Sequence, residues 1–126
     1  MKIIGTGIDI VEVSRIQKSI DRYEENFAAK ILHDEELSEY EGSNNKVSFL
    51  AKRFAVKEAF VKALGTGIRD HVSWRKMYIT HDKKGKPLLE FTEEFAKQID
   101  ANNLDVHISI SDEAKYVVAH ALITNN

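Results

Sequence analysis

The chain has 126 residues, of which 43% are apolar and 30% charged, with a net charge of −2 and no cysteine. This composition excludes a disulfide scaffold, a thiolate zinc site and a cysteine nucleophile, and the slight acidity argues against a nucleic-acid partner. The length predicts a single domain over residues 1–126 with an ordinary core. The first residues are too interrupted for a signal peptide, and no apolar run is long enough to cross a bilayer as a helix. We therefore expect a cytoplasmic protein without membrane contact.

The N-terminal segment predicts a strand followed by a helix. Residues 2–13 mix β-branched side chains with Gly5 and Gly7, which suits a strand that bends or meets another backbone closely. Ser14 and Gln17 have the spacing of a capping box, in which both side chains satisfy N–H groups at a helix start. A helix is therefore expected to begin at Ser14.

Helices dominate the next part of the chain. Two short pieces are predicted over residues 27–32 and 34–40, with Gly42 ending the second. The longest predicted helix covers Lys46–Leu64. Gly65 follows it, at the position where a glycine commonly ends a helix.

The C-terminal part is predicted to consist mainly of strands. Residues 72–81 and 87–91 are typical of two strands joined by a turn, and Thr92 is expected to cap a helix through its hydroxyl. Strict alternation over residues 106–111 predicts a strand, for which residues 116–123 provide an antiparallel partner. This mixed order indicates an α+β fold, in which an antiparallel sheet packs against the long central helix and the shorter helices.

The long helix carries charges where its pattern predicts burial. Apolar side chains occupy nearly its whole circumference, and charges on such a helix are costly unless they are paired, bind a metal or face a site. Glu58 and Lys62 are four residues apart, whereas Arg53 and Lys57 lie on another side. Glu58 and Lys62 therefore form either an ordinary ion pair or part of a functional site.

Two further features admit both a structural and a functional interpretation. Asp9 interrupts an apolar run, so it either lies at a strand end or binds a hard cation such as magnesium. The turn Gly65-Thr66-Gly67 either ends the helix or offers backbone N–H groups to a phosphate. Nothing in the spacing shows that Asp9 and Glu58 meet.

Three stretches occur in a characteristic order along the chain: GTGIDIVEVSRI at residues 5–16, RFAVKEAFVKALGTGI at residues 53–68, and VHISIS at residues 106–111. Together with the turn at residues 84–87, they make the chain resemble the holo-[acyl-carrier-protein] synthase family of 4′-phosphopantetheinyl transferases. The resemblance spans essentially the full length. The middle stretch is highly specific, whereas any of the others alone would be weak.

The resemblance implies a magnesium-dependent transfer of the 4′-phosphopantetheine arm of coenzyme A to a serine of apo acyl carrier protein in fatty-acid biosynthesis. Adenosine 3′,5′-bisphosphate would be the other product. By this likeness Asp9 and Glu58 bind the magnesium and Lys62 contacts the pyrophosphate, so these three residues form the catalytic set. The residues implied to line the coenzyme site are Arg53, Lys62, Gly65, Thr66, Gly67, Ile68, Lys86, Pro87, His107 and Ser109.

The resemblance also implies an assembly and a protein partner. Members of the family are typically homotrimers with active sites at subunit interfaces. Their first helix typically faces the acidic carrier protein, and here that helix carries Arg15, Lys18 and Arg22 at helical spacing. Without the resemblance, the same stripe is either a solvated face or a docking surface for an acidic helix.

Alternatives to this interpretation stay open on sequence grounds. The enzyme could serve peptide or polyketide carrier domains broadly, or the chain could be a coenzyme A-binding module without catalysis. A nucleic-acid-binding module is the weakest alternative, because the chain is acidic overall. For the enzyme, either Glu58 or a metal-bound water is the candidate base that accepts the proton of the acceptor serine.

Overall fold

Five strands and five α-helices form the part of the chain that the structure, a computed structural model, describes: residues 1–65 and 73–126. In chain order they are β1 (Lys2–Glu12), α1 (Val13–Tyr23), α2 (Glu25–Ile31), α3 (Asp34–Glu41), α4 (Lys46–Leu64), β2 (Met77–His81), β3 (Pro87–Phe91), α5 (Glu93–Ala101), β4 (Leu104–Asp112) and β5 (Tyr116–Asn125). Across these described ranges, no helix is long and apolar enough to span a membrane.

The strands form two antiparallel sheets. β5 is the middle strand of a three-stranded sheet with β1 and β4 on its two sides, and β2 pairs with β3 in a separate hairpin. One face of the three-stranded sheet packs against α4. The α+β class, the central helix and the antiparallel pairing of β4 with β5 are therefore confirmed.

The central helix α4 has the bounds that its periodicity predicts. The Asn45 side chain accepts a hydrogen bond from the Ser48 N–H at 3.1 Å, and Gly65 ends the helix with a φ of 80°. The sheet and the helices α1, α2 and α3 all contact α4, so buried side chains lie on every side of it. They are Leu50, Ala51, Arg53, Ala55, Val56, Lys57, Ala59, Phe60, Val61 and Ala63.

Strand β1 crosses α4 at very close range. A Cβ atom on Gly7 would collide with the carbonyl oxygen of Ala59, and a Cβ atom on Gly5 would collide with that of Ala63. The prediction that this strand meets another backbone is therefore confirmed. Because alternate residues of a strand share a face, Asp9 lies on the same face as Gly7 and is held against the C-terminal half of α4.

Two predicted helix caps are wrong. The N-cap of helix α1 lies two residues earlier than predicted, at Glu12 instead of Ser14, so Ser14 lies inside the first turn. The Ser14 hydroxyl donates to Glu12 Oε1 at 2.6 Å, and the Gln17 amide donates to Asp21 Oδ1 at 2.9 Å. Neither side chain caps the backbone, and the Thr92 side chain makes no capping hydrogen bond to α5 either.

The strand predicted over residues 72–81 is shorter than expected. Only Met77–His81 is paired, and Trp74–Lys76 forms a 3₁₀ turn in front of it. The Trp74 ring packs against Phe54 with centroids 5.8 Å apart, so the chain turns inward before the strand begins. Residue 72 lies outside the described residues.

A buried ion network ties α3 to α4. The Lys57 ammonium donates to Glu36 Oε1 at 2.5 Å and to the Ile31 carbonyl oxygen at 2.8 Å, and both ionic side chains are fully buried. The other Glu36 oxygen accepts from the Ile79 N–H at 3.0 Å. Burial lowers the pKa of Lys57 to about 8, although Glu36 opposes this shift. Because its members come from α2, α3, α4 and β2, the network fixes how these elements pack.

Candidate active site

The side of α4 that faces β1 carries a cluster of three ionisable side chains. The Lys62 ammonium donates to Asp9 Oδ1 at 3.0 Å and to the Ile8 carbonyl oxygen at 3.1 Å. The Asp9 side chain is 14% exposed and that of Lys62 is 56% exposed. Lys62 therefore pairs with Asp9 at an edge that solvent reaches, and it does not form the simple pair with Glu58 that the spacing alone allowed.

Glu58 lies beside this pair, one turn earlier on the same helix. Burial raises the pKa of Glu58, and the nearby Trp74 indole opposes that shift. The Asp9 carboxylate raises this pKa further, whereas the Lys62 ammonium lowers it. Trp74 Nε1 is buried and completes no hydrogen bond within the described residues, although it lies near enough to Glu58 to lower that pKa. The fold thus gathers Asp9, Glu58 and Lys62 into one cluster.

The two carboxylates of this cluster fit a hard cation. Magnesium prefers oxygen ligands, commonly one or two carboxylates together with substrate phosphates and water. Asp9 and Glu58 are close enough for the charge of one to raise the pKa of the other, and Lys62 is the cation that they share. Within residues 1–65 and 73–126, no group of three or more His, Cys, Asp or Glu side chains is placed to hold a metal. A cation held by Asp9 and Glu58 would take its remaining oxygen ligands from elsewhere, such as water or a substrate phosphate.

Arg53 lies on another side of α4, about 140° around the helix from Glu58. It is buried, and its guanidinium carbon lies 3.8 Å from the centre of the Phe49 ring. Carboxylate oxygens of Glu36 and Glu39 approach it only to 3.7 and 3.6 Å. Burial lowers the pKa of Arg53 against the effect of these acids, and its Nε has no hydrogen-bond partner among the described residues. Arg53 is therefore a buried, incompletely bonded cation outside the Asp9 cluster.

The other residues that the resemblance assigns to the coenzyme site lie at several places. Gly65 is exposed at the end of α4. Lys86 is exposed in the β2–β3 turn, where its backbone N–H donates to Asp82 Oδ1 at 2.9 Å, and Pro87 begins β3. Three of the predicted residues fall outside the described part of the chain: Thr66, Gly67 and Ile68.

His107 and Ser109 lie on β4 and face away from α4. Both are exposed, and Ile108 between them points into the core. Asp9 lies on the inner face of the same sheet, against α4. His107 and Ser109 are therefore on the opposite face from the Asp9 cluster, and one chain alone does not bring the two groups together.

The outer face of the three-stranded sheet is apolar at its centre. Ile8 is 63% exposed and Ile10 is 64% exposed. Their neighbours on β5 are His120 and Val118. Adjoining exposed apolar side chains of this kind indicate an interaction surface.

Helix α1 presents the predicted basic stripe to solvent. Arg15, Lys18 and Arg22 are all exposed. Arg15 is 3.7 Å from Glu12, and Arg22 lies over the Tyr23 ring at 5.2 Å. All three positive charges are therefore available to a partner molecule.

A cavity of about 370 Å³ adjoins the end of α1. Trp74 forms part of its wall and also lies near Glu58, so this one side chain is shared by the cavity and the candidate active site. The residues that line it are Tyr23, Asn26, Phe27, Lys30, Ile31 and Trp74.

The sequence does not predict two partners of the charged residues, Trp74 and Glu36. Nothing in the pattern around Trp74 indicates that it reaches Glu58. Glu36 was placed in a short helix without a role, although it is the buried partner of Lys57. The available signal was Lys57 itself, because a charge at a buried helix position requires a counter-charge.

Comparisons with known proteins agree on one family. A model described as the 4′-phosphopantetheinyl transferase superfamily matches residues 5–121. A Vibrio cholerae protein named holo-[acyl-carrier-protein] synthase is 47% identical over 124 residues, which cover 96% of this chain and 97% of the relative. The crystal structure of the Neisseria meningitidis enzyme of that name has a TM-score of 0.93 and 41% identity, and the match covers 98% of this chain and 99% of that one. A Bacillus anthracis enzyme of that name, solved in complex with CoA (3′,5′-ADP), has a TM-score of 0.84 and 34% identity, with both chains covered completely at 100%.

Proposed function

The chain belongs to the 4′-phosphopantetheinyl transferase superfamily, and on that basis we propose that it works as a holo-[acyl-carrier-protein] synthase. It transfers the 4′-phosphopantetheine arm of coenzyme A to a serine of apo acyl carrier protein in fatty-acid biosynthesis, and it releases adenosine 3′,5′-bisphosphate. The observation that carries this assignment is the 47% identity to an enzyme of that name across 96% of the chain. We place the enzyme in the cytoplasm, because a chain without cysteine suits a reducing compartment.

We assign the metal to Asp9 and Glu58, whose carboxylates would hold Mg²⁺. When bound, the ion supplies positive charge that neutralises phosphate oxygens and orients the pyrophosphate. The cluster supports this assignment because two like charges lie together, and Lys62 is the one cation beside them in the described part of the chain. The partial burial of Glu58 adds to this support, since charges interact more strongly away from bulk water.

The chain's own groups meet the other needs of the transfer. Lys62 holds a positive charge beside the two carboxylates, where it can stabilise the leaving phosphate. Either Glu58 or a water bound to the metal is the candidate acceptor for the proton of the attacking serine. Burial raises the pKa of Glu58 in the metal-free chain, and a bound cation would lower it. Fixing these groups on a buried helix and its neighbouring strand restricts their positions before the substrates arrive.

We propose that coenzyme A lies between two copies of the chain. Arg53, whose buried Nε has no hydrogen-bond partner in the described residues, supplies positive charge for a phosphate from one copy. His107 and Ser109 would come from the neighbouring copy, because they lie on the sheet face opposite Asp9. The remaining residues assigned to this site are Lys62, Gly65, Thr66, Gly67, Ile68, Lys86 and Pro87.

The assembly in this proposal is a homotrimer that buries the outer sheet face. Ile8 and Ile10 are about two-thirds exposed, so covering them would contribute roughly 1–2 kcal/mol each. Ile10→Glu is therefore expected to give monomers in light scattering and to lose transfer activity, because His107 and Ser109 no longer reach a partner's site. Leu88→Glu, which changes a 37% exposed residue on the β2–β3 hairpin, is the control and should keep the assembly. A monomeric wild type, or an active monomeric variant, would contradict the proposal.

We propose that the basic stripe of α1 docks the acidic carrier protein. Arg15→Glu is expected to raise the KM for apo carrier protein by about tenfold or more, since like charges then meet across the contact. The KM for coenzyme A should stay unchanged. Lys97→Glu, on α5, is the control for a general loss of surface positive charge. Equal effects of Arg15→Glu on both substrates would remove the case for this docking surface.

The decisive experiment incubates the chain with coenzyme A, Mg²⁺ and apo acyl carrier protein and follows the mass of the carrier. We expect a mass gain equal to one phosphopantetheine group and its loss when the metal is chelated. Competition between this carrier and peptide or polyketide carrier domains separates the proposed enzyme from a broad transferase. Coenzyme binding without any mass gain would indicate a catalytically silent binding module.

A further inference from the structure

The Lys62 ammonium contacts two oxygen atoms of strand β1. Its ammonium donates to Asp9 Oδ1 at 3.0 Å and to the Ile8 carbonyl oxygen at 3.1 Å, so it spans a proposed metal ligand and the adjacent backbone. Both oxygen atoms belong to β1, which Gly7 holds tightly against α4. In this arrangement Lys62 is turned toward the acid and its backbone, and two of the three N–H donors of its ammonium are engaged there.

We propose that Lys62 is a placeholder cation, which occupies the Asp9 carboxylate in the absence of metal and is displaced from it when a divalent cation binds. This inference rests on the proposed function, because it takes Asp9 as a metal ligand. It assigns one lysine two successive partners, first Asp9 and then a phosphate of the substrate.

The burial of the pair supports such an exchange. The Asp9 side chain is 14% exposed, so its charge is poorly solvated and needs a positive partner. The Lys62 side chain is 56% exposed, so it can move into solvent without breaking core packing. Glu58 adds a second negative charge beside Asp9, and this favours retaining some cation in the cluster at all times.

The exchange couples metal binding to coenzyme binding. A cation must compete with Lys62 for Asp9, so the free metal binds less tightly than the two carboxylates alone would allow. Once displaced, the ammonium is available to phosphate oxygens, so a phosphate-bearing substrate favours the displaced state. Metal and coenzyme therefore strengthen each other's binding, as linkage requires.

The test measures metal affinity without any reaction. Mn²⁺ binding to the coenzyme-free protein, followed by electron paramagnetic resonance, should become about three- to tenfold tighter in Lys62→Met, because a partly exposed charged pair no longer has to be broken. Lys52→Met is the matched control, since Lys52 lies on the same helix and is 3.6 Å from Asp112 instead. Equal or weaker Mn²⁺ binding by Lys62→Met would overturn the proposal.

A second measurement follows the lysine directly. In protein labelled with ¹⁵N-lysine, the Lys62 ammonium signal is identified by its absence in Lys62→Arg. This signal should shift when Mg²⁺ is added, and Asp9→Asn should shift it without metal. If neither Mg²⁺ nor Asp9→Asn shifts the Lys62 signal, Lys62 does not leave Asp9 when the metal binds. The mass-gain assay on the wild type is scored separately, so an active enzyme with an unchanged Lys62 signal rejects the placeholder and leaves the proposed function standing.

Discussion

Two clusters of charged side chains lie on different sides of α4, and they differ in how completely the protein satisfies them. In the first, Lys57 has bonds of 2.5 and 2.8 Å, and both it and Glu36 are fully buried. In the second, Asp9 pairs with Lys62 at 3.0 Å, and the Lys62 side chain is 56% exposed. Glu58 stands beside that pair with a pKa raised by burial. In the first cluster Lys57 and Glu36 have their bonding partners, whereas the second cluster can bind another cation.

Because of this difference, one cluster on α4 contributes to stability and the other to function. A buried pair with all its partners in place offers nothing to a ligand, but removing one member leaves an uncompensated charge in the core. A cluster of like charges with too few partners costs stability that a bound cation can restore. We therefore expect substitutions in the first cluster to affect folding, and substitutions in the second to affect activity.

The largest expected effect is on activity, in Glu58→Gln. The amide has no negative charge for a cation, so transfer to the carrier should fall by at least about 10³-fold in the mass-gain assay. Asp9→Asn should have a similar effect. A Glu58→Gln enzyme with normal activity and normal Mg²⁺ dependence would reject this residue as a ligand.

The same Glu58→Gln variant should be as stable as the wild type or more stable by up to about 1 kcal/mol at pH 7 in urea unfolding. The native state holds the Glu58 proton more tightly than the unfolded chain does, because its pKa is raised. The wild-type carboxyl therefore becomes less destabilising as pH falls through that native pKa. The stability advantage of the variant should shrink over the same range.

The next largest effect is on stability, in Glu36→Ala. This change strands Lys57 as a buried cation without its carboxylate, so the free energy of unfolding should fall by about 3–5 kcal/mol. Glu39→Ala is the matched control, because Glu39 also contacts Arg53 but is 57% exposed. Its effect should stay below about 1 kcal/mol. Equal losses of unfolding free energy in the two variants would show that burial does not determine how much each acid contributes to stability.

Trp74→Phe is expected to have the smallest effect, which is a shift in pH dependence. The Trp74 indole lowers the pKa of Glu58, so replacing it with a phenyl ring should raise that pKa further. In the metal-free protein Glu58 is then protonated at a higher pH, so the acidic limb of the pH profile of Mn²⁺ affinity should move to higher pH. Phenylalanine keeps an aromatic ring against Phe54. An acidic limb that stays in place or moves to lower pH would contradict the role of the indole.

Local signals predicted most of the scaffold. The bounds of α4 followed from an apolar period between Asn45 and Gly65, since caps and periodicity act over a few residues. The close approach of β1 followed from Gly5 and Gly7, because only residues without a side chain allow it. The capping interpretation of Ser14 failed because the N-cap lies two residues earlier, at Glu12, and a shift of that size changes every cap partner.

The sequence by itself determined the α+β class, the central helix and the residue types available for chemistry, because hydrophobic periodicity, turn residues and a specific motif are encoded locally. Only the tertiary structure decided which charges meet. Lys62 pairs with Asp9, 53 residues away, whereas Lys57 pairs with Glu36, 21 residues away. The two lysines differ little in local sequence, so the acid that each one pairs with depends on which element packs against its side of α4. Burial and electrostatic partnership are properties of that packing, and no spacing along one helix specifies them.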